Sequence, residues 1–178
     1  LDALAQLSAR TAGLDGSTVK SIVVETYSLA VELDDPSPKN VLAGKFSVPF
    51  AVASALVNGS TGVDSFTMPN VVNPKIIALA QRVKVIEDLT MTALLPHKRP
   101  AKITVTLKSG EVLEAATETN RGDWSDPYSE ADVRNKYLSL TTRLWHKKAA
   151  IRVWDKIMAL SSATSLDDVF TEMAQAPR

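Results

Sequence analysis

Residues 101–107 alternate apolar and polar side chains, with Ile103, Val105 and Leu107 on one side and Lys102, Thr104 and Thr106 on the other. A period of two marks a strand with one buried face. Ser109-Gly110 then places a glycine where a tight turn needs positive φ, and residues 112–119 return as a partner strand, so a hairpin is predicted here. A second region is dense in β-branched side chains (Val19, Ile22, Val23, Val24, Thr26, Val31) and predicts one long strand over 19–33. Residues 83–87 predict a further short strand.

Elsewhere the apolar spacing is helical. Leu1, Leu4 and Ala5 share one face of a short helix that Gly13 would close. The stretch Asp34 to Asn40 holds two prolines, which bias their neighbours away from helix, and is expected to be an exposed loop. Residues 47–57 are nearly all small or apolar, with Ser47 as N-cap, Pro49 in the first turn and Asn58-Gly59 as a stop, which predicts a helix buried on most sides. A short helical turn is expected over 61–66, and Asn73-Pro74 starts a helix running to about residue 82. Past a loop at 120–127, Ser129 followed by Asp132 caps a helix whose stripe is Val133, Tyr137, Leu140 and Leu144. Trp145, Ala149, Val153, Ile157 and Leu160 continue at helical spacing, and Ser165 opens a last helix carrying Leu166, Val169, Phe170 and Met173. This order predicts an α+β fold: a small, mainly antiparallel sheet with packed helices and a helical C-terminal tail, as one domain over 1–178.

Composition changes this picture in three ways. With 178 residues, 45% of them hydrophobic, the chain can bury a core and is not disordered. Twenty Lys+Arg balance twenty Asp+Glu, so no global field draws it to nucleic acid or to an anionic membrane. The absence of Cys removes disulfides, thiolate metal sites and thiol nucleophiles and agrees with a cytoplasmic setting, while two histidines are too few for an all-protein zinc site. No stretch approaches the roughly 18 apolar residues of a membrane span. The chain opens on Leu1 in the middle of a helical pattern, which predicts that it was cut from a longer protein.

Most charged clusters read as solvated surface. Gly59-Ser60-Thr61-Gly62 lacks a Walker lysine and follows a helix, so it is expected to be a turn. Residues 96–100 gather His97, Lys98 and Arg99 in one loop, His146 sits among Arg143, Lys147 and Lys148, and Asp123 and Asp126 flank Trp124 in a pattern typical of Asx turns. One segment leaves two readings open: Lys45 and Ser47 stand at the entrance of the apolar helix, where the dipole and free N–H groups favour an anion such as a carboxylate, or Ser47 merely caps a buried helix.

The run Lys45-Phe46-Ser47-Val48-Pro49-Phe50-Ala51-Val52-Ala53, with Asn58-Gly59 and Phe66 after it, resembles the lid-domain signature of the MmgE/PrpD family of 2-methylcitrate dehydratases. Val83-Lys84-Val85, Arg99-Pro100-Ala101, the turn at Ser109-Gly110, then Gly122, Pro127, Ser129 and Lys136-Tyr137 follow in the same order, so the resemblance spans almost the whole chain. It implies a C-terminal lid of a larger, two-domain enzyme, with no cofactor and no metal, acting on small di- or tricarboxylates by dehydration, decarboxylation or epimerisation. The shared step is proton transfer at carbon beside a carboxylate, which needs a base and cationic or hydrogen-bonding partners for the charge that builds up. The resemblance also implies a homodimer and an N-terminal helical domain, absent here, that carries most catalytic groups. It leaves this chain Lys45, Ser47 and Phe50 as substrate-binding candidates and predicts that it is inactive by itself. Many members have Tyr where Phe50 stands, and a phenyl ring cannot donate or relay a proton. The alternative is a stand-alone carboxylate-binding or assembly domain without catalysis.

Overall fold

A computed structural model describes residues 1–60 and 62–176 and divides them into two compact units, one up to Arg121 and one from Gly122. The described residues form an α+β fold with four strands and ten α-helices.

The first unit is built on β1 (Val19–Thr26), β2 (Val83–Glu87), β3 (Ala101–Leu107) and β4 (Val112–Thr117), in the spatial order β2-β1-β3-β4. The β1–β2 pair is parallel, with Val24 opposite Val85, while β1–β3 and β3–β4 are antiparallel. The hairpin forms where alternation predicts it, and Gly110 adopts φ 94°. A register shift between Val19 and Ser21 brings Val19 and Ile22, three positions apart, into the same core.

The strand expected over 19–33 ends at Thr26. Its buried hydroxyl donates to the carbonyl of Pro100 at 2.9 Å, and its own carbonyl accepts from the N–H of Asp88. After Tyr27 the chain turns into the short helix α2 (Ser28–Val31), so Val31 lies in a helix despite its β-branch. The remaining helices of this unit are α1 (Asp2–Arg10), α3 (Val41–Lys45), α4 (Val48–Asn58), α5 (Met68–Val71), α6 (Pro74–Ala80) and α7 (Leu89–Thr92). A 3-10 turn at Val63–Ser65 falls within the expected helical turn over 61–66, whose first residue lies outside the described residues.

The core joins Leu4 and Leu7 of α1, Phe50, Val52 and Leu56 of α4, and Ile76 and Leu79 of α6 to Ile22, Ile103 and Val105 of the sheet. Side chains of this size contribute roughly 1.5–3 kcal/mol each when fully buried. The helix α4 has seven buried residues from Pro49 to Leu56, as expected for a helix that is apolar on nearly all sides. Its one buried hydroxyl, on Ser54, donates to the carbonyl of Ser65 at 2.7 Å and accepts from the Asn58 side chain at 3.0 Å, which removes the cost of burying it. Gly59 closes the helix at φ 66°.

The second unit contains α8 (Glu130–Thr141), α9 (Lys147–Met158) and α10 (Asp167–Gln175). Ser129 and Asp132 form the reciprocal capping box that their spacing predicts. The expected stripe of α8 is largely solvated instead of buried: Leu144 lies beyond the helix end and is 72% exposed, and of the four residues only Tyr137 packs firmly. The break comes at Thr141-Thr142, whose hydroxyls bond back to the carbonyls of Tyr137 and Leu138, a habit of β-branched hydroxyl residues that weakens a helix. Tyr137 donates its hydroxyl to the carbonyl of Ala150 at 2.9 Å, and its ring lies 5.2 Å from that of Trp154. Arg152 and Glu172 tie α9 to α10 at 2.7 Å.

Candidate functional site

The segment that the sequence singles out lies at the junction of α3 and α4. Asn40 caps α3, its side chain accepting from the N–H of Ala43 at 2.8 Å, and the helix ends five residues later on Lys45. Lys45 and Phe46 are exposed, whereas Ser47 and Phe50 are interior, at 2% and 0% exposure. The Ser47 hydroxyl accepts from the N–H of Phe50 at 3.0 Å and donates to the carbonyl of Asp35. In the first turn of α4 the N–H of Val48 donates to Leu33 at 2.8 Å, Pro49 has none, and the N–H of Ala51 donates to the Ser47 carbonyl. The Ser47 hydroxyl and the backbone N–H groups of this first turn thus already have partners within the chain. The three candidates are thus neighbours in sequence with different surroundings: Lys45 faces solvent, Ser47 holds the helix start, and the ring of Phe50 packs in the core beside Phe66 at 6.3 Å.

Next to this junction a pocket of about 200 Å³ opens, lined by Val48 and Val52 of α4 together with Tyr27, Arg99, Lys102 and Asn120, among others. The β1–β3 register assembles it. Thr26 lies opposite Ala101, which brings Tyr27, just past the end of β1, to the loop that carries Arg99. Lys102 pairs with Glu114 at 3.0 Å and with Glu25 at 3.7 Å, and its hydrogen bond to Glu114 raises its pKa. Arg99 carries a guanidinium and Tyr27 a phenol, groups whose chemistry suits a carboxylate on a small apolar body. Tyr27 and Asn120 belong to no local motif, and nothing in the sequence around them marks them as site residues. Arg99 stands in the sequence as part of a charged loop and of the Arg99-Pro100-Ala101 segment, with nothing local to mark it as a site residue.

The other candidates settle as structural features. In the loop that holds His97, Lys98 forms an ion pair with Glu118 and holds that carboxyl below its ordinary range. Asp123 accepts from the N–H of Trp124 at 2.7 Å, and Gly122 and Asp126 close a tight turn around it. Among the described residues no group of three His, Cys, Asp or Glu side chains is placed to hold a metal ion. His146 occupies the N-cap position of α9, and its backbone N–H donates to Ala176. In the loop after α4, the hydroxyl of Ser60 accepts from the N–H of Gly62 at 3.0 Å, as in a turn; Thr61 lies outside the described residues.

The family model of the MmgE/PrpD C-terminal domain matches residues 1–160, which takes in the junction, the pocket, the whole sheet and α9. The chain belongs to this family. Among curated proteins, this MmgE/PrpD domain is similar to a cis-aconitate decarboxylase of Mus musculus, 24% identical over 151 residues. The match covers 80% of this chain and 29% of that protein, so the chain spans less than a third of the relative. No helix among the described residues is long and apolar enough to cross a membrane.

Proposed function

We propose that this MmgE/PrpD domain closes the active site of a lyase or isomerase that moves a proton beside a carboxylate of a small di- or tricarboxylate, without a cofactor. The family match over residues 1–160 carries this reading. The similarity to a protein named cis-aconitate decarboxylase supports the substrate class. So does the pocket beside α4, in which Arg99 and Tyr27 stand next to the apolar wall of Val48 and Val52.

Each residue then has a distinct part. Lys45 and Arg99 meet carboxylates of the substrate, where a fixed cation lowers the cost of the charge that develops in proton transfer. Ser47 and Phe50 are positioning residues: the cap and the packed ring set where the end of α3, and with it Lys45, is held. Phe50 carries no donor, so no proton passes through that position. The acid and base themselves come from a helical domain that accompanies this one in a longer, homodimeric, cytoplasmic enzyme.

The test is an assay of cis-aconitate and 2-methylcitrate turnover with this chain alone and with the longer protein encoded by its gene. Turnover is expected only from the longer protein. Activity of the chain alone would overturn the division of labour, and inactivity of both towards every small di- and tricarboxylate tried would hand the lead to a non-catalytic carboxylate-binding domain.

A further inference from the structure

A second and larger cleft, of about 570 Å³, lies at the other end of α4. Ser47 and Val57 are ten residues apart, about 15 Å along a helix, so the cleft is separate from the Lys45 junction. Its volume is in the range of small-molecule sites. Its floor is apolar, made by Val57 of α4 and Leu79 of α6, and it is lined by Lys75 and Arg82, at the two ends of α6, and by Lys108, just past β3.

Three observations give this cleft a preference of its own. The chain as a whole has zero formal charge, yet three cations and one carboxylate, Asp15, leave this lining with an excess of two positive charges. Asp15 does not neutralise them by contact: it accepts from the N–H groups of Ser17 at 2.6 Å and Thr18 at 3.3 Å, and Lys108 acts on it only at a distance. Among the described residues no salt bridge engages Lys75, Arg82 or Lys108. The Arg82 guanidinium is also pre-positioned, because one of its nitrogens donates to the carbonyl of Val19 at 3.1 Å while the rest of the fork stays available. Finally, Gly16 seats the Asp15–Ser17 turn directly on the floor; a Cβ there would stand 3.0 Å from both Leu79 and Val57. The absent side chain lets this turn lie close against those two residues and fixes the edge of the cleft.

We infer that this cleft is a binding site for a small organic dianion with a short apolar body, separate from the substrate site. The apolar floor takes the body, and Arg82, Lys75 and Lys108 take the charges. Two kinds of molecule share this chemistry, a phosphomonoester and a dicarboxylate. The inference does not depend on the proposed reaction.

The experiment is isothermal titration of the chain with phenyl phosphate, adipate and inorganic phosphate, on the unaltered protein, on Lys75→Glu/Lys108→Glu and on Lys45→Ala. A site that responds to the lysine variants is expected, at least tenfold tighter for phenyl phosphate or adipate than for inorganic phosphate. Binding should weaken at least tenfold in the double variant and be unchanged in Lys45→Ala. Preference for phenyl phosphate identifies the phosphomonoester, preference for adipate the dicarboxylate, and either supports the site. Both lysines are exposed, so the double variant should keep its fold, which circular dichroism checks; if it unfolds, the same comparison is made with Lys108→Ala, expected to weaken binding about threefold. Absence of binding, no advantage over inorganic phosphate, unchanged affinity in the lysine variants, or loss of binding in Lys45→Ala would each overturn the inference.

Discussion

Gly44 and Phe50 occupy one space: a Cβ on Gly44 would stand 3.0 Å from Cε1 of the Phe50 ring and 3.1 Å from Cδ1. The residue before Lys45 is therefore small because a fully buried ring lies against its backbone. Gly44→Ala sets a gain in helix propensity of about 1 kcal/mol against overpacking of about 1–3 kcal/mol. Since the ring is walled in on all sides, the clash should prevail and lower the urea midpoint. A raised midpoint would show that the ring has room to withdraw.

Ser47 and Lys45 are two residues apart and should respond in opposite ways. Ser47→Ala removes a helix cap and is expected to cost about 1–2 kcal/mol in urea unfolding. Lys45→Ala should change stability by no more than about 0.5 kcal/mol, because the side chain faces solvent. In the longer enzyme it should lower kcat/KM for the carboxylate about tenfold or more. Unchanged kinetics would remove Lys45 from the substrate site.

Val105→Asp should prevent the first unit from folding. Val105 has no exposed surface and lies at the centre of β3, so an unpaired carboxylate there costs several kcal/mol, comparable with the roughly 5–15 kcal/mol that holds a domain together. Thr106→Asp, on the other face of the strand, should be tolerated. Far-ultraviolet circular dichroism and melting of the two variants make the comparison, and a cooperative melt of Val105→Asp near that of the unaltered chain would contradict the facing of the strand.

Stability should fall on acidification. Glu114 is held below its ordinary pKa by its hydrogen bond to Lys102, Glu118 by Lys98, Glu172 by Arg152, Asp15 by Ser17 and Asp88 by Thr90. A carboxyl with a lowered folded-state pKa stabilises the fold above its unfolded value and loses that contribution as pH drops through the folded one, so the decline belongs below about pH 5. These groups are on the surface, so the decline should be shallow and weaken further with added salt. Melting temperatures from pH 7 down to pH 3, at low and high salt, provide the check; a rise towards pH 3 would contradict it.

Local chemistry was legible in the sequence wherever a few adjacent residues decide the outcome. Alternation marked β3, Ser129 and Asp132 marked a capping box, and Ser47 with Asn58-Gly59 bracketed α4. Reading failed where distant groups decide. The β-branched run beyond Thr26 suggests a strand, but Thr26 is tied to Pro100 and Asp88, and both edges of β1 end there, so the following residues coil into α2. The pocket was hidden for the same reason. Tyr27, Arg99 and Asn120 meet only through the pairing of strands far apart in sequence, which no local pattern encodes. Lys45, Ser47 and Phe50 form one group in the sequence, yet the exposed lysine and the buried serine and phenylalanine are told apart only by the packing around them.

The position of β1 in the sheet also dictates an order of assembly. It is the first strand to leave the ribosome, yet its neighbours are residues 83–87 and 101–107, and the hairpin that would form fastest on its own, β3–β4, comes last. During synthesis β1 therefore waits with both edges unpaired until residues 83–87 emerge, and with one edge open to other nascent chains until the segment through Leu107 has emerged. Folding of this unit is consequently a late, nearly all-at-once event, and a chain interrupted before β3 would retain a sticky central strand with an open edge.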